Sequence, residues 1–276
     1  MPYKTRQQFF IGLVYFLILI LLGAGAYLIF FQKTPTCSDK IQNQNEQGID
    51  CGGPCAVNCE FLTIKDLRTD WVKFVEFKDG YYDLAAKIEN PNPNFGLASF
   101  QYVFKTLDTA GNVLKEQTGS NFILPGQDAK YLMENNIALG KKPASAQLEI
   151  KKPAPEDWQK TDISLPNLFV KNREFKFLSD GSGFSQASGI LKNSSAYNFD
   201  AVLISVIIFD KQKNIMGLNK TQLRTILAGE ERYFSVPWFS PLVGQVDSME
   251  MTAETNILAP DDFLKIKGET EKFQEY

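Results

Sequence analysis

The chain has 276 residues, 44% of them hydrophobic and 22% charged, with 29 basic against 32 acidic side chains. That balance excludes an acidic disordered tail, a collagen-like repeat and a polytopic membrane protein, and it gives nucleic acid no basic surface to bind. Histidine is absent, which removes the commonest general base and the commonest metal-ligating side chain together.

The first element is a run of 23 uncharged residues, Phe9 to Phe31, rich in Leu, Ile and Phe. As a helix rising ~1.5 Å per residue it covers ~34 Å, enough for a ~30 Å hydrocarbon core. A buried core helix seldom carries so long an uncharged stretch. A cleaved signal peptide is the stronger rival, with Ala24-Gly25-Ala26 imitating a cleavage site. Against it, Tyr27-Leu28-Ile29-Phe30-Phe31 prolongs the apolar run past that point. The expectation is a retained transmembrane helix with ends at Phe9 and Phe31. Lys4 and Arg6 precede it without any acid, whereas Lys33 and Lys40 beyond it are diluted by Asp39, Glu46 and Asp50. The positive-inside bias therefore places residues 1–8 in the cytoplasm and everything after the span outside, in a single-pass arrangement whose first partner is the lipid bilayer.

Residues 32–60 hold all four cysteines, Cys37, Cys51, Cys55 and Cys59. An even number on the oxidising side of a membrane reads as two disulfides, with three pairings open. Zinc or an iron–sulfur cluster would want Cys-x2-Cys pairs or histidine and a reducing compartment. Gly52-Gly53-Pro54 also breaks any helix that would set Cys51, Cys55 and Cys59 on one face. Asp39, Asn43, Glu46 and Asp50 offer oxygen ligands to Ca²⁺, although without the spacing of an EF-hand, and polar residues are ordinary in a solvated loop. Cys37-Ser38-Asp39, Asn43, Glu46 and Asp50-Cys51-Gly52-Gly53-Pro54-Cys55 resemble a short cysteine motif of many bacterial surface and secreted proteins. That resemblance implies a location beside anchors and β-domains. Lys40 stands where the motif often has Gly.

The remainder reads as short strands between turn signals. Tyr82, Leu84, Ala86 and Ile88 alternate with Asp83, Lys87 and Glu89, the period of a half-buried strand. Val202 to Phe209 is apolar on nearly both faces, as a central strand would be. Asn90-Pro91-Asn92, Ala110-Gly111-Asn112, Pro125-Gly126 and Ala228-Gly229 supply turns. These pieces recur at an offset of about 102 residues. Lys87-Ile88-Glu89-Asn90 matches Ile190-Leu191-Lys192-Asn193, Leu107-Asp108 matches Phe209-Asp210, and Ile123-Leu124-Pro125-Gly126 matches Ile226-Leu227-Ala228-Gly229. Duplication of one β-domain is the economical account.

Each copy is long enough for an immunoglobulin-like sandwich. The fold expected is thus mainly β: a transmembrane α-helix followed by two tandem immunoglobulin-like β-sandwiches, residues 61–150 and 168–259. The second, with Ser188-Gly189-Ile190-Leu191-Lys192-Asn193, Val206-Ile207-Ile208-Phe209-Asp210 and Leu227-Ala228-Gly229-Glu230, resembles the FxLYD family of bacterial β-domains. Asn90-Pro91-Asn92 and Tyr102-Val103-Phe104 of the first are similar to the late-embryogenesis type 2 fold. Neither family implies catalytic residues. Residues 151–167, stiffened by Pro153 and Pro155, read as a linker on which the sandwiches sit apart or tilt semi-rigidly. Residues 260–276 read as a polar tail, with Phe263 and Phe273 as docking points.

No nucleophile system is present: without histidine no Ser-His-Asp or Cys-His arrangement exists, and neither a Gly-x-Ser-x-Gly elbow nor a glycine-rich phosphate loop occurs. The reading is a non-enzymatic, membrane-anchored, extracytoplasmic interaction or scaffold protein of the cell envelope. It is expected to use no cofactor, to bind an envelope protein and to take no small-molecule ligand. A carbohydrate or cell-wall binding module is one alternative, with Trp158 in the linker as its exposed aromatic and Trp71 and Trp238 as strand residues. An accessory subunit of a secretion or pilus machine is the other.

Overall fold

Why a chain this rich in β-branched and aromatic residues begins with a helix is a matter of one segment. Residues Tyr3–Phe31 form α1, 29 residues long; after a polar first turn and a half, the run Phe9–Phe31, rich in Leu, Ile and Phe, has no proline and no charged side chain to interrupt it. It is apolar on every side and so presents no solvent-facing stripe of the kind a surface helix carries. The computed structural model describes residues 3–31, 37–43, 45–55, 58–161 and 165–259 and the backbone of 263–264. Within α1 the described side chains run unbroken only from Gly12 to Gly25. Among the described residues no helix is long and apolar enough to cross a membrane. The chain divides into two compact units, residues 1–63 and 64–276.

The second unit is all β. Its first half contains β1 (Arg68–Lys78), β2 (Tyr81–Glu89), β3 (Phe95–Leu107), β4 (Val113–Ile123), β5 (Lys130–Ala138), β6 (Ser145–Ile150) and β7 (Trp158–Lys160). The second contains β8 (Leu168–Phe177), β9 (Ser185–Asn193), β10 (Asn198–Phe209), β11 (Ile215–Ile226), β12 (Glu231–Trp238), β13 (Ser248–Glu254) and β14 (Phe263–Leu264). Strands pair as β1-β2-β5 and β4-β3-β6 in the first half and as β8-β9-β12 and β11-β10-β13 in the second. β7 adds to β3, and β14 adds to β10. The same connectivity is therefore drawn twice.

The sequence matches at the 102-residue offset turn out to be the same hydrogen-bond devices used twice. Asn90 ends β2 by donating its amide to the carbonyls of Phe95 and Leu124, at 2.6 and 2.9 Å. Asn193 ends β9 by donating to Tyr197 and Leu227, at 2.8 and 2.9 Å. The turn after β3 is closed by Asp108, whose carboxylate accepts from the backbone N–H of Ala110 and Asn112. Asp210 accepts in the same way from Gln212 and Asn214 after β10. A side chain that satisfies several loop backbone groups at once holds a turn that no regular ladder can hold.

Two layers of apolar side chains follow. Within the second half, Leu191 and Phe234 from one sheet meet Phe199, Ile204, Ile226 and Met251 from the other in a single buried cluster, a sandwich-like core. In the first half Leu84, Ile88, Leu97, Phe104, Ile123 and Leu132 are wholly buried, each contributing ~1.5–3 kcal/mol by removal from water.

The second layer lies between the halves. Ala85 of β2 and Tyr131 and Met133 of β5 pack against Ile207 and Phe209 of β10 and Leu218 of β11. This explains the apolar character of Val202–Phe209 on both faces: Ile204, Val206 and Ile208 face the second half's own core, while Ile207 and Phe209 face the other half. The expectation of separated sandwiches is corrected here. Residues 151–167 are no spacer either. Pro155–Asp157 form a single 3-10 turn, and β7 joins the first half's sheet with Leu97 opposite Trp158. Nor is the region after residue 260 wholly a tail, because Phe263 pairs with Phe199 in β10. Phe273 lies outside the described residues.

Candidate functional site

The cysteine-rich loop is resolved into two crosslinks, Cys37–Cys55 and Cys51–Cys59. Glycines make the second possible, since a Cβ on Gly48 would lie 2.8 Å from the sulfur of Cys51 and 3.0 Å from that of Cys59. Gly53, at φ 59°, would place a Cβ 2.3 Å from the carbonyl oxygen of Asn45. Cys37, Glu46 and Cys55 bring their ligand atoms together. Both sulfurs belong to one disulfide, however, so no thiolate is available for a metal.

The residues named for a cation are turned to the loop itself. Asp39 accepts from the N–H of Ile41 at 2.9 Å and from the amide of Asn43 at 3.1 Å. Asp50 accepts from Lys40 N–H at 2.9 Å, and buried Glu46 accepts from the N–H groups of Asn43 and Asp50, each at 3.2 Å. The four side chains thus fold a loop whose backbone has few other partners. Phe9 and Phe31 fall within α1, and their side chains are outside the described residues. Trp158 is 5% exposed and is anchored in β7. This corrects its reading as a ligand-facing aromatic: pairing with β3 turns the indole inward, which sequence placed in a linker could not show.

The functional groups that sequence reasoning passed over sit where the halves meet. Lys130 has no exposed surface. Its ammonium lies 2.5 Å from a carboxylate oxygen of Glu254 and 3.7 Å from the centre of the Phe122 ring. The other Glu254 oxygen accepts from the Gln127 amide at 2.7 Å. Burial pushes the Lys130 amine's pKa down, and Glu254 opposes that shift. Nearby, the Tyr131 hydroxyl donates to Glu250, and burial together with that carboxylate raises the phenol's pKa. Repeat-equivalent Tyr233 is exposed, so Lys130 is an interface residue and not a feature of the repeat.

A second group lies on a bulge. In the β2–β5 pairing Tyr82 stands opposite Ile137 and Leu84 opposite Glu134, so Asn135 and Asn136 both oppose Asp83. Asn136 takes φ 63°, a left-handed conformation that Asn tolerates better than most side chains. Its N–H is thereby aimed at Asp83, 2.8 Å away. Bulges re-aim side chains in this way. Asp83, expected on a solvated strand face, is only 6% exposed, because β11 of the other half covers it.

A cleft of about 490 Å³ opens on this bulge, lined by Asp83, Asn135, Asn219, Lys220, Trp238 and Phe239 among others. The lining is held from behind. Asn135 donates to the Leu218 carbonyl at 3.3 Å, Asn219 to Pro237 at 2.8 Å, and Lys220 to Met133 at 3.2 Å. Trp238 is 6% exposed, and its indole N–H has no acceptor. Phe239 stands 72% exposed. The one sequence signal for this site was Asn135-Asn136 inside a strand pattern, a β-depleted pair.

Burial pushes the Asp83 carboxyl from its ordinary 3.8 up to about 6, against the opposing N–H of Asn136 and the Asn135 side chain. A carboxyl whose folded pKa is raised favours folding most below its unfolded pKa, and that contribution is lost as pH rises through about 6. At neutral pH the ionised group therefore costs roughly 3 kcal/mol. Asp83→Asn should abolish this dependence. Between pH 4 and 7 the variant's unfolding free energy, from urea titration of the full chain, should gain on wild type by ~2–3 kcal/mol and then level off. A pH-independent gap would show the carboxylate to be well solvated.

No family model matches the chain, and no curated protein matches it significantly. Among solved structures, the crystal structure of calcium binding domain CBD12 of CALX1.1 aligns over 60% of this chain and 74% of its own, at 10% identity. The TM-score is 0.19, a likeness that fixes neither fold nor function.

Proposed function

We propose that this is a membrane-anchored, extracytoplasmic, non-enzymatic interaction or scaffold protein of the cell envelope, with α1 as its anchor and the duplicated sheets as immunoglobulin-like binding domains. One observation carries the reading: two disulfides close a loop that begins only six residues beyond α1, whose last 23 residues, Phe9 to Phe31, are uncharged. Disulfides persist on the oxidising side of a membrane, and an uncharged run of 23 residues suits the bilayer. Lys4 and Arg6 ahead of the span favour a cytoplasmic amino terminus. Large exposed apolar side chains gather in the second half, where Phe169, Phe177, Phe184, Tyr233, Phe239 and Val243 lie open. A surface of that kind is suited to a protein partner.

Topology can be read directly in a bacterial host carrying the full chain with a tag at each end. Protease added to intact spheroplasts should remove the carboxy-terminal tag and leave the amino-terminal one attached to a short membrane fragment. Maleimide should label none of the four cysteines until reductant is added. A carboxy-terminal tag that survives until the cells are lysed, or thiols that label without reductant, would overturn the proposal.

A further inference from the structure

The cleft at the Asp83 bulge has no role in an anchor-and-scaffold reading, and its lining is costly to maintain. A carboxylate is kept nearly buried, and three side chains are tied by hydrogen bonds to backbone behind them. Groups fixed before a ligand arrives lose little freedom when it binds. The cleft's volume of about 490 Å³ falls in the range of pockets that enclose small ligands, ~300–1,000 Å³.

The chemistry of the lining selects among ligands. Asp83 and Lys220 are one acid and one base in the same cleft, so it presents no field of a single sign to draw an ion. A nucleotide phosphate would meet Asp83 with one lysine to offset it. An extended peptide would want alternating apolar pockets, whereas Trp238 is nearly covered and Phe239 stands at the rim as a flat exposed ring. Planar carboxylate and amide groups match the paired hydroxyls of a sugar, each able to take two hydrogen bonds in one plane. An exposed ring complements the C–H face of a pyranose by burying it from water.

We propose that the cleft between β5, β11 and β12 is a binding site for a neutral saccharide segment, with Asp83 and Asn135 receiving its hydroxyls and Phe239 stacking on a ring face. The inference goes beyond the anchor reading, and it is tested in solution, where the side of the membrane does not matter. The two can therefore fail separately. The full chain in lipid nanodiscs is titrated with chitotetraose, cellotetraose, maltotetraose and mannotetraose, followed by tryptophan fluorescence and calorimetry. At least one should bind with a Kd under about 1 mM. Phe239→Ala, an exposed position whose loss leaves the fold intact by circular dichroism, should weaken that binding about tenfold or more. Phe177→Ala, also largely exposed but outside the cleft, should leave it unchanged. Absence of binding by all four sugars, equal binding by Phe239→Ala, or binding of extended peptides alone would each sink the proposal.

Discussion

Lys130→Ala should destabilise the folded chain by about 3–5 kcal/mol. The ammonium is completely enclosed, 2.5 Å from Glu254, so its removal leaves a carboxylate in the interior with only the Gln127 amide as a partner. Glu254→Gln should cost as much by leaving the enclosed ammonium without a counter-charge beside Phe122. Replacing both, as Lys130→Met with Glu254→Leu, should return stability to near or above wild type, because the pair's attraction roughly balances the desolvation of its two charges. Urea titrations of wild type, Lys130→Met, Glu254→Leu and the double variant form a double-mutant cycle, and the coupling should exceed ~2 kcal/mol. A single-variant loss below ~1 kcal/mol would mean that water reaches the pair. The pair's value then lies in register: an acid and a base buried on opposite halves accept only one way of docking them.

Ile207→Asp and Ile208→Asp should fail in different ways although the residues are adjacent. Successive strand residues point to opposite faces. Ile207, with Leu218 beside it on β11, faces Ala85 and Met133 across the halves, and Ile208 faces the core of the second half. Each substitution buries an unpaired carboxylate, at a cost of several kcal/mol. In Ile207→Asp the halves can part and let water in, so calorimetry should resolve two transitions where wild type shows one, and any sugar binding should vanish. In Ile208→Asp the second half itself should lose its transition and become open to limited proteolysis. Identical behaviour of the two variants would contradict the division of β10 into an inner and an outer face.

Much of this architecture was legible in the order of residues. The uncharged run to Phe31 marks a helix because nothing in it competes with backbone hydrogen bonding. Alternation in Tyr82–Glu89, turn residues at Asn90, Asp108 and Gly126, and their echoes near Asn193, Asp210 and Gly229 mark strands, turns and duplication, since each is a local device. Four clustered cysteines mark disulfides for the same reason. Asp83 was misplaced because alternation assigns a strand one wet face, and here both faces of β2 are covered. Trp158 was misplaced because two prolines beside it signal an extended linker, while its burial depends on β3, some 60 residues earlier.

What the sequence alone determined, then, is whatever short-range chemistry decides: helix or strand, where the chain turns, that the cysteines are oxidised together, that one unit was copied. Which cysteine joins which, that the two copies share a second core, and that Lys130, Glu254 and Asp83 are covered where the copies meet were decided only in three dimensions. The physical reason is that burial and charge pairing belong to a surface and its cover. The cover for β2 and β5 is supplied by β10 and β11, which begin about 60 residues or more farther along the chain.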